Sequence, residues 1–187
     1  MLVVCAFALG SLLIKHNTVF LWFALFVWLW GYRRALLRMA GVVALWLLSF
    51  TPYLPDGAER IVQRVLLYSS WSGQYGLQLV LSKPVNAALF VAVMLLLPLA
   101  TRRLPLTRAV FVQACAYFIF AHGMGGNQFV ILLTLAPLAG ATWTLFAILA
   151  ALPVLHPAAQ VWIYQWRMNG VWLVAVAALS RGLMRRG

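Results

Sequence analysis

Apolar runs separated by short polar breaks recur along the chain, at 2–14, 18–31, 36–51, 85–100, 109–121, 128–140, 141–154 and 168–182. Inside them the apolar residues are continuous, as from Val42 to Phe50 and from Ala87 to Leu99. Membrane-barrel strands alternate apolar with polar positions, so the pattern predicts helices instead. Most runs hold about 13 to 17 residues, whereas a helix needs about 20 to cross a hydrocarbon core of ~30 Å. Such helices must draw polar flanks into the membrane or stop partway. Lys15-His16-Asn17 joins the first two runs and is too short for a loop and too polar for mid-bilayer. It predicts a broken, partly re-entrant pair, an arrangement tolerated where protein or a water-filled cavity surrounds the break.

The stretch 51–84 has a different pattern. Pro52, Pro55 and Asp56-Gly57 predict a turn. From Glu59 to Tyr68, the polar residues Glu59, Arg60, Gln63 and Arg64 recur opposite Ile61, Val62, Val65, Leu66 and Tyr68. That spacing predicts an amphipathic helix lying along a membrane interface. A segment rich in aromatic, hydroxyl and glycine residues, Tyr68 to Gly76, follows, and Pro84 opens the next helix. No internal repeat or low-complexity linker divides the chain, so residues 1–187 read as a single membrane domain.

Composition turns this pattern into a fold class. Hydrophobic residues make up 65% of the 187 residues and charged residues 9%, against about 45–50% and about 25% in soluble domains. The expected fold is therefore all-α: a polytopic integral membrane protein with about seven or eight short transmembrane or re-entrant helices and an outer amphipathic interfacial helix. The formal net charge is +12, which in a soluble protein would point to nucleic acid. Here the arginines fall between apolar runs in three clusters: Arg33, Arg34 and Arg38; Arg102, Arg103 and Arg108; Arg181, Arg185 and Arg186. The positive-inside rule makes these clusters cytoplasmic anchors and predicts a cytoplasmic C-terminus, with no nucleic-acid partner. The 139–142 turn becomes an uncharged cytoplasmic connection. The outer side then receives Lys15 to Asn17, the stretch 51–84, the turn from His122 to Asn127 and the segment from His156 to Asn169. All three histidines and both acidic residues, Asp56 and Glu59, fall on that outer side, which makes it the face where polar chemistry is expected. Cys5 and Cys115 sit inside apolar runs as small packing residues. The Leu2–Leu13 run has no basic residue before it, unlike a cleaved signal peptide.

The candidate residues each have a plainer reading beside the functional one. Lys15 and His16 sit at a helix break. An ionisable group at membrane depth costs about 2.5 to 3.5 kcal/mol on insertion scales and suggests function, although a lysine at a helix end also snorkels to the interface. Arg60 and Arg64 stand one turn apart and could clasp a phosphate, although pairing with Glu59 or anionic headgroups is the plainer reading. Asp56 or Glu59 could act as a general base, although a Pro-Asp-Gly triplet is also an ordinary turn. Gln74, Tyr75, His122 and Gln128 complete the outer polar set as substrate-binding candidates. The histidines lack metal-ligand spacing, so no metal site is assigned. The aromatics form an interfacial belt, with Trp71 and Tyr75 also able to stack on a sugar ring. No Walker loop, nucleophile elbow or dinucleotide fingerprint is present, and no cofactor is evident.

Three stretches together resemble the C-terminal half of the glycosyltransferase C superfamily, the mannosyltransferase-like enzymes that use polyprenyl-phosphate sugars. These are the Lys15-His16-Asn17 break with its apolar helix ending at Arg33-Arg34, the Tyr68–Gly76 segment, and His122-Gly-Met-Gly-Gly-Asn-Gln128-Phe129 leading into an apolar helix with Pro137. The resemblance implies transfer of a sugar from a lipid-phosphate donor on the outer face. Its base would be a carboxylate in a first outer loop, basic residues would hold the phosphate, and a divalent metal is conceivable from the resemblance alone. Lys15, Arg60 and Arg64 would form the phosphate-facing set. This chain departs from the pattern in lacking an amino-terminal acidic loop. The reading is thus of a C-terminal membrane portion, completed by further N-terminal helices or by a partner subunit, and consistent with an apolar run that begins at Leu2. A non-enzymatic membrane subunit that binds partner helices or lipid is the competing reading. A transporter is the third, because broken helices serve transporters too, but no inverted repeat is visible.

Overall fold

The computed structural model describes residues 1–14, 18–63, 76–121, 129–141 and 161–184, and every regular element among them is helical. The elements are α1 (Leu2–Ile14), α2 (Val19–Trp30), α3 (Tyr32–Leu48), a 3-10 turn at Thr51–Tyr53, α4 (Leu54–Ile61), a 3-10 turn at Gly76–Leu79, α5 (Lys83–Thr101), α6 (Leu106–Phe120), α7 (Phe129–Leu138) and α8 (Val161–Met184). Two stretches are long and apolar enough to cross a membrane, Tyr32–Ile61 and Lys83–Thr101, and only 22% of the apolar window of each is buried. A core helix of a soluble domain would turn most of that surface inward. Instead, Leu37 is 70% exposed and Leu96 59%. At 1.5 Å per residue α1, α2 and α6 reach about 20, 18 and 22 Å, short of a full span, as the run lengths predict.

The chain divides into two compact units, Met1–Ser69 and Ser70–Gly187. In the first, α3 packs against both α1 and α2. Its buried residues Ala35, Met39, Val42 and Trp46 recur every three or four positions, making one apolar stripe. That stripe meets Phe23, Ala24, Phe26 and Val27 of α2 and Ala8 and Leu12 of α1. Gly31 alone links α2 to α3, at φ 77 and ψ 162, and its N–H donates to the Val27 carbonyl. A side chain is poorly tolerated in that backbone region. Across the α1–α2 break, the Ser11 hydroxyl donates to Thr18 Oγ1 at 3.0 Å.

In the second unit α6 is the central element. Every residue from Phe111 to Ile119 is buried, because α5, α7, α8 and the Gly76–Leu79 turn all pack on it. A helix enclosed on all sides has no polar face, and past its first turn, with Thr107 and Arg108, α6 has no charged or amide side chain except Gln113. The α5–α6 hairpin turns at Arg102–Pro105, where the Leu104 N–H donates to the Thr101 carbonyl. From α8, Val171, Ala175 and Ala178 present a stripe of mostly small side chains to the bundle, and small residues let helix backbones approach closely. At the end of α7, Gly140 (φ 70) adopts the left-handed conformation. The N–H of Ala141 reaches back to Ala136 and that of Gly140 to Pro137, the Schellman pattern that terminates a helix. This is the break expected at 139–142.

Three local expectations need correction. The Pro52–Gly57 turn is helical: Pro52 and Pro55 each occupy a helix start, and Asp56 lies in the first turn of α4. Proline's fixed φ suits that position and the carboxylate suits the positive end of the helix dipole, so these residues start a helix instead of interrupting one. The amphipathic helix consequently begins at Leu54, not Glu59, and the expected part beyond Gln63 lies outside the described residues. The last helix, expected over the apolar run 168–182, begins already at Val161. Gln165, Arg167 and Met168 are good helix formers, and nothing in that stretch breaks the turn. The apolar run at 141–154 lies outside the described residues from position 142.

Candidate functional site

Polar side chains of the second unit gather at the end of the bundle opposite Arg102, Arg103 and Arg108. The local cause is the C-terminus of α6, whose last carbonyls have no partner within the helix. Trp172 Nε1 of α8 donates to the Ile119 carbonyl at 3.1 Å. Asn86 Nδ2 of α5 donates to the Phe120 carbonyl at 3.3 Å. The Gly76 N–H donates to Asn169 Oδ1 of α8 at 2.9 Å. Gly76 has φ 56, and a Cβ there would stand 2.5 Å from Trp172 Nε1. Close backbone approach to the indole and a left-handed φ both demand glycine at this position. One tryptophan therefore touches both the 3-10 turn and the end of α6.

A second polar contact lies deeper. Pro98, inside α5, has no N–H with which to bond the carbonyl of Met94 one turn back. Gln113 of α6, fully buried, supplies the missing donor: its Nε2 lies 3.0 Å from the Met94 carbonyl. In an apolar surrounding, an unbonded carbonyl costs about 1 to 3 kcal/mol, so this contact fixes the helix pair beside the proline. Gln113 Oε1 is itself buried without a hydrogen-bond partner.

The first unit carries an open apolar groove of about 760 Å³ between α1 and α2, lined by Val3, Ala6, Phe7, Gly10, Ser11, Thr18 and Trp22.

Of the candidate residues read from sequence, Asp56, Glu59 and Arg60 share α4, and all three are exposed. Asp56 and Arg60 lie one turn apart on one face, the acid at the N-terminal and the base at the C-terminal end, which suits the helix dipole. Lys15, His16, Arg64, Gln74, Tyr75, His122 and Gln128 lie outside the described residues, as does His156. Among the described residues no group of three His, Cys, Asp or Glu side chains converges as metal ligands would. Gly76, Asn86, Gln113, Asn169 and Trp172 are the residues that sequence reasoning missed. A polar residue inside an apolar run was the available signal for Asn86 and Gln113.

No protein-family model, curated protein or solved structure matches this chain.

Proposed function

We propose that the chain is the C-terminal membrane portion of a lipid-linked-sugar glycosyltransferase-like protein. It acts at the outer face of a bacterial inner membrane, as a polytopic helical protein with its arginine clusters and C-terminus in the cytoplasm. The observation that carries the reading is the double contact of Trp172. The two outer segments behind the resemblance are Tyr68–Gly76 and His122–Phe129. Gly76 ends the first, and Ala121, one residue past α6, immediately precedes the second. Trp172 lies against Gly76 and bonds the last turn of α6. The chain positions that border both segments thus share one anchor, at the end of the bundle opposite Arg102, Arg103 and Arg108. In this reading the segments bind the sugar of a polyprenyl-phosphate donor. Asn86, Asn169 and Trp172 hold Gly76 and the end of α6, which border the two segments, and a carboxylate from another segment or subunit acts as base.

The test is retention of a radiolabelled polyprenyl-phosphate sugar by the full chain in proteoliposomes. Saturable retention, competed by unlabelled polyprenyl phosphate and lowered on the order of tenfold by Asn169→Ala, is expected from the loss of one positioning hydrogen bond and the loosening of its segment. Absence of saturable retention, or retention unchanged in Asn169→Ala, would exclude this reading. A non-enzymatic membrane subunit is the second reading. It is favoured by the exposed apolar face of α5, where Val85, Leu89 and Leu96 point outward, and by a total of two acidic residues. That reading expects no sugar-lipid retention and loss of partner association when this face is made polar.

A further inference from the structure

Arg33, Arg34 and Arg38 lie in the first two turns of α3, with Arg34 and Arg38 one turn apart on the same face. Arg33 and Arg34 are exposed. Arg38 is placed differently. Its guanidinium lies over the ring of Trp30 with its central carbon 4.0 Å from the ring centroid, and its Nη1 is buried without a hydrogen-bond partner. It stands six residues into the helix, roughly 9 Å from the N-terminus, where an uncompensated cation is costly in lipid.

The chain offers this corner no counter-charge. Its only acidic side chains are Asp56 and Glu59, both on α4, which follows the opposite end of α3. With 17 residues, α3 is about 25 Å long, well beyond the reach of an ion pair. The start of α3 is also open: Gly31 contributes no side-chain cap, and the Ala35 N–H is the one that reaches back to the Gly31 carbonyl. The amides ahead of it point out of the helix as an anion-favouring end.

We propose that the α2–α3 corner binds the phosphodiester of an anionic phospholipid, held between Arg34 and Arg38 at the start of α3. A phosphate matches the planar guanidinium fork, and Trp30 sits at the level where indoles meet headgroups. Basic pockets between helices on the cytoplasmic side are suited to such headgroups. This site lies in the first unit and rests on the membrane topology proposed above, but not on sugar transfer.

The experiment uses the full chain in nanodiscs of mixed phosphatidylcholine and phosphatidylglycerol, followed by mass-spectrometric measurement of the lipid retained after gentle extraction. Enrichment of phosphatidylglycerol over the bulk bilayer is expected. Arg38→Gln should lower it on the order of tenfold, the effect of removing one charge-assisted bond. Arg34→Gln, which leaves the Trp30 stack in place, should lower it as well. Arg102→Gln, at the exposed α5–α6 turn, should leave it unchanged. Absence of enrichment, unchanged retention in Arg34→Gln, or an equal loss in Arg102→Gln would overturn the site. Displacement of the lipid by inorganic phosphate alone would overturn the lipid assignment in favour of a general phosphate site.

Discussion

The two units solve the same problem of apolar helices with few polar groups in opposite ways. In the first, the fully buried side chains of α1, α2 and α3 are apolar among the described residues, and Arg38, whose Nη1 is buried, lies over the Trp30 ring. In the second, the buried set includes Asn86, Thr101 and Gln113, and each donates to a backbone carbonyl. For Gln113 the carbonyl has been released by Pro98, and for Asn86 it ends α6. The amides of Gln113 and Asn86 thus satisfy backbone carbonyls where a proline interrupts a helix's bonding or the helix ends. The first unit has no interior proline in its long helices and needs no such donor there.

The largest expected effect lies at Gly76. Gly76→Ala should destabilise the second unit by about 3 kcal/mol, combining a left-handed φ with a clash against Trp172. Gly31→Ala, where nothing lies within 4 Å of an added Cβ, should cost the first unit only the backbone strain, about 1 to 3 kcal/mol. Pairing each substitution with Trp172→Ala sharpens the contrast. Unfolding measured in detergent should show recovery of part of the loss for Gly76→Ala and none for Gly31→Ala. Equal behaviour of the two glycines would remove the steric account.

A smaller effect is expected beside Pro98. Gln113→Leu should cost about 2 kcal/mol by leaving the Met94 carbonyl unbonded. Pro98→Ala restores an N–H to that carbonyl, so the double substitution Pro98→Ala/Gln113→Leu should be less destabilised than Gln113→Leu alone. A double-mutant cycle that is additive within about 0.3 kcal/mol would show that Gln113 does not compensate for proline. The smallest effects belong to α4. Asp56→Asn and Arg60→Gln should each change stability by less than about 0.5 kcal/mol, since both are exposed. A larger loss in detergent unfolding for either would show that the two side chains hold α4 together.

Element positions were legible because apolar continuity marks them: the 2–14 and 128–140 runs match α1 and α7 closely. Boundaries failed where polar residues continue a helix. Arg33 and Arg34 sit inside α3, Pro55 and Asp56 start α4, and Gln165 and Arg167 extend α8, because apolar content measures removal from water, whereas a helix ends only where its backbone is stopped. The Gln113–Met94 contact was partly legible. Met94 lies eight residues before Arg102 and Gln113 eight after Pro105, so a hairpin turning there sets them opposite each other, and Pro98 names the carbonyl needing a donor. Its use required knowing the turn. The meeting of Gly76, Asn169 and Trp172 was not legible, since it joins residues 93 positions apart, and neither periodicity nor charge encodes that distance.

Photo-crosslinking tests the central claim, that the polar end of the second unit is the ligand end. A diazirine-bearing polyprenyl-phosphate sugar would be irradiated with the full chain in lipid and the labelled peptides sequenced. Adducts should concentrate around Gly76–Asn86 and the first turns of α8 through Trp172, and should fall when Asn169 is replaced by alanine. Adducts confined to the α1–α2 groove, or spread evenly over the lipid-exposed faces of both units, would contradict it.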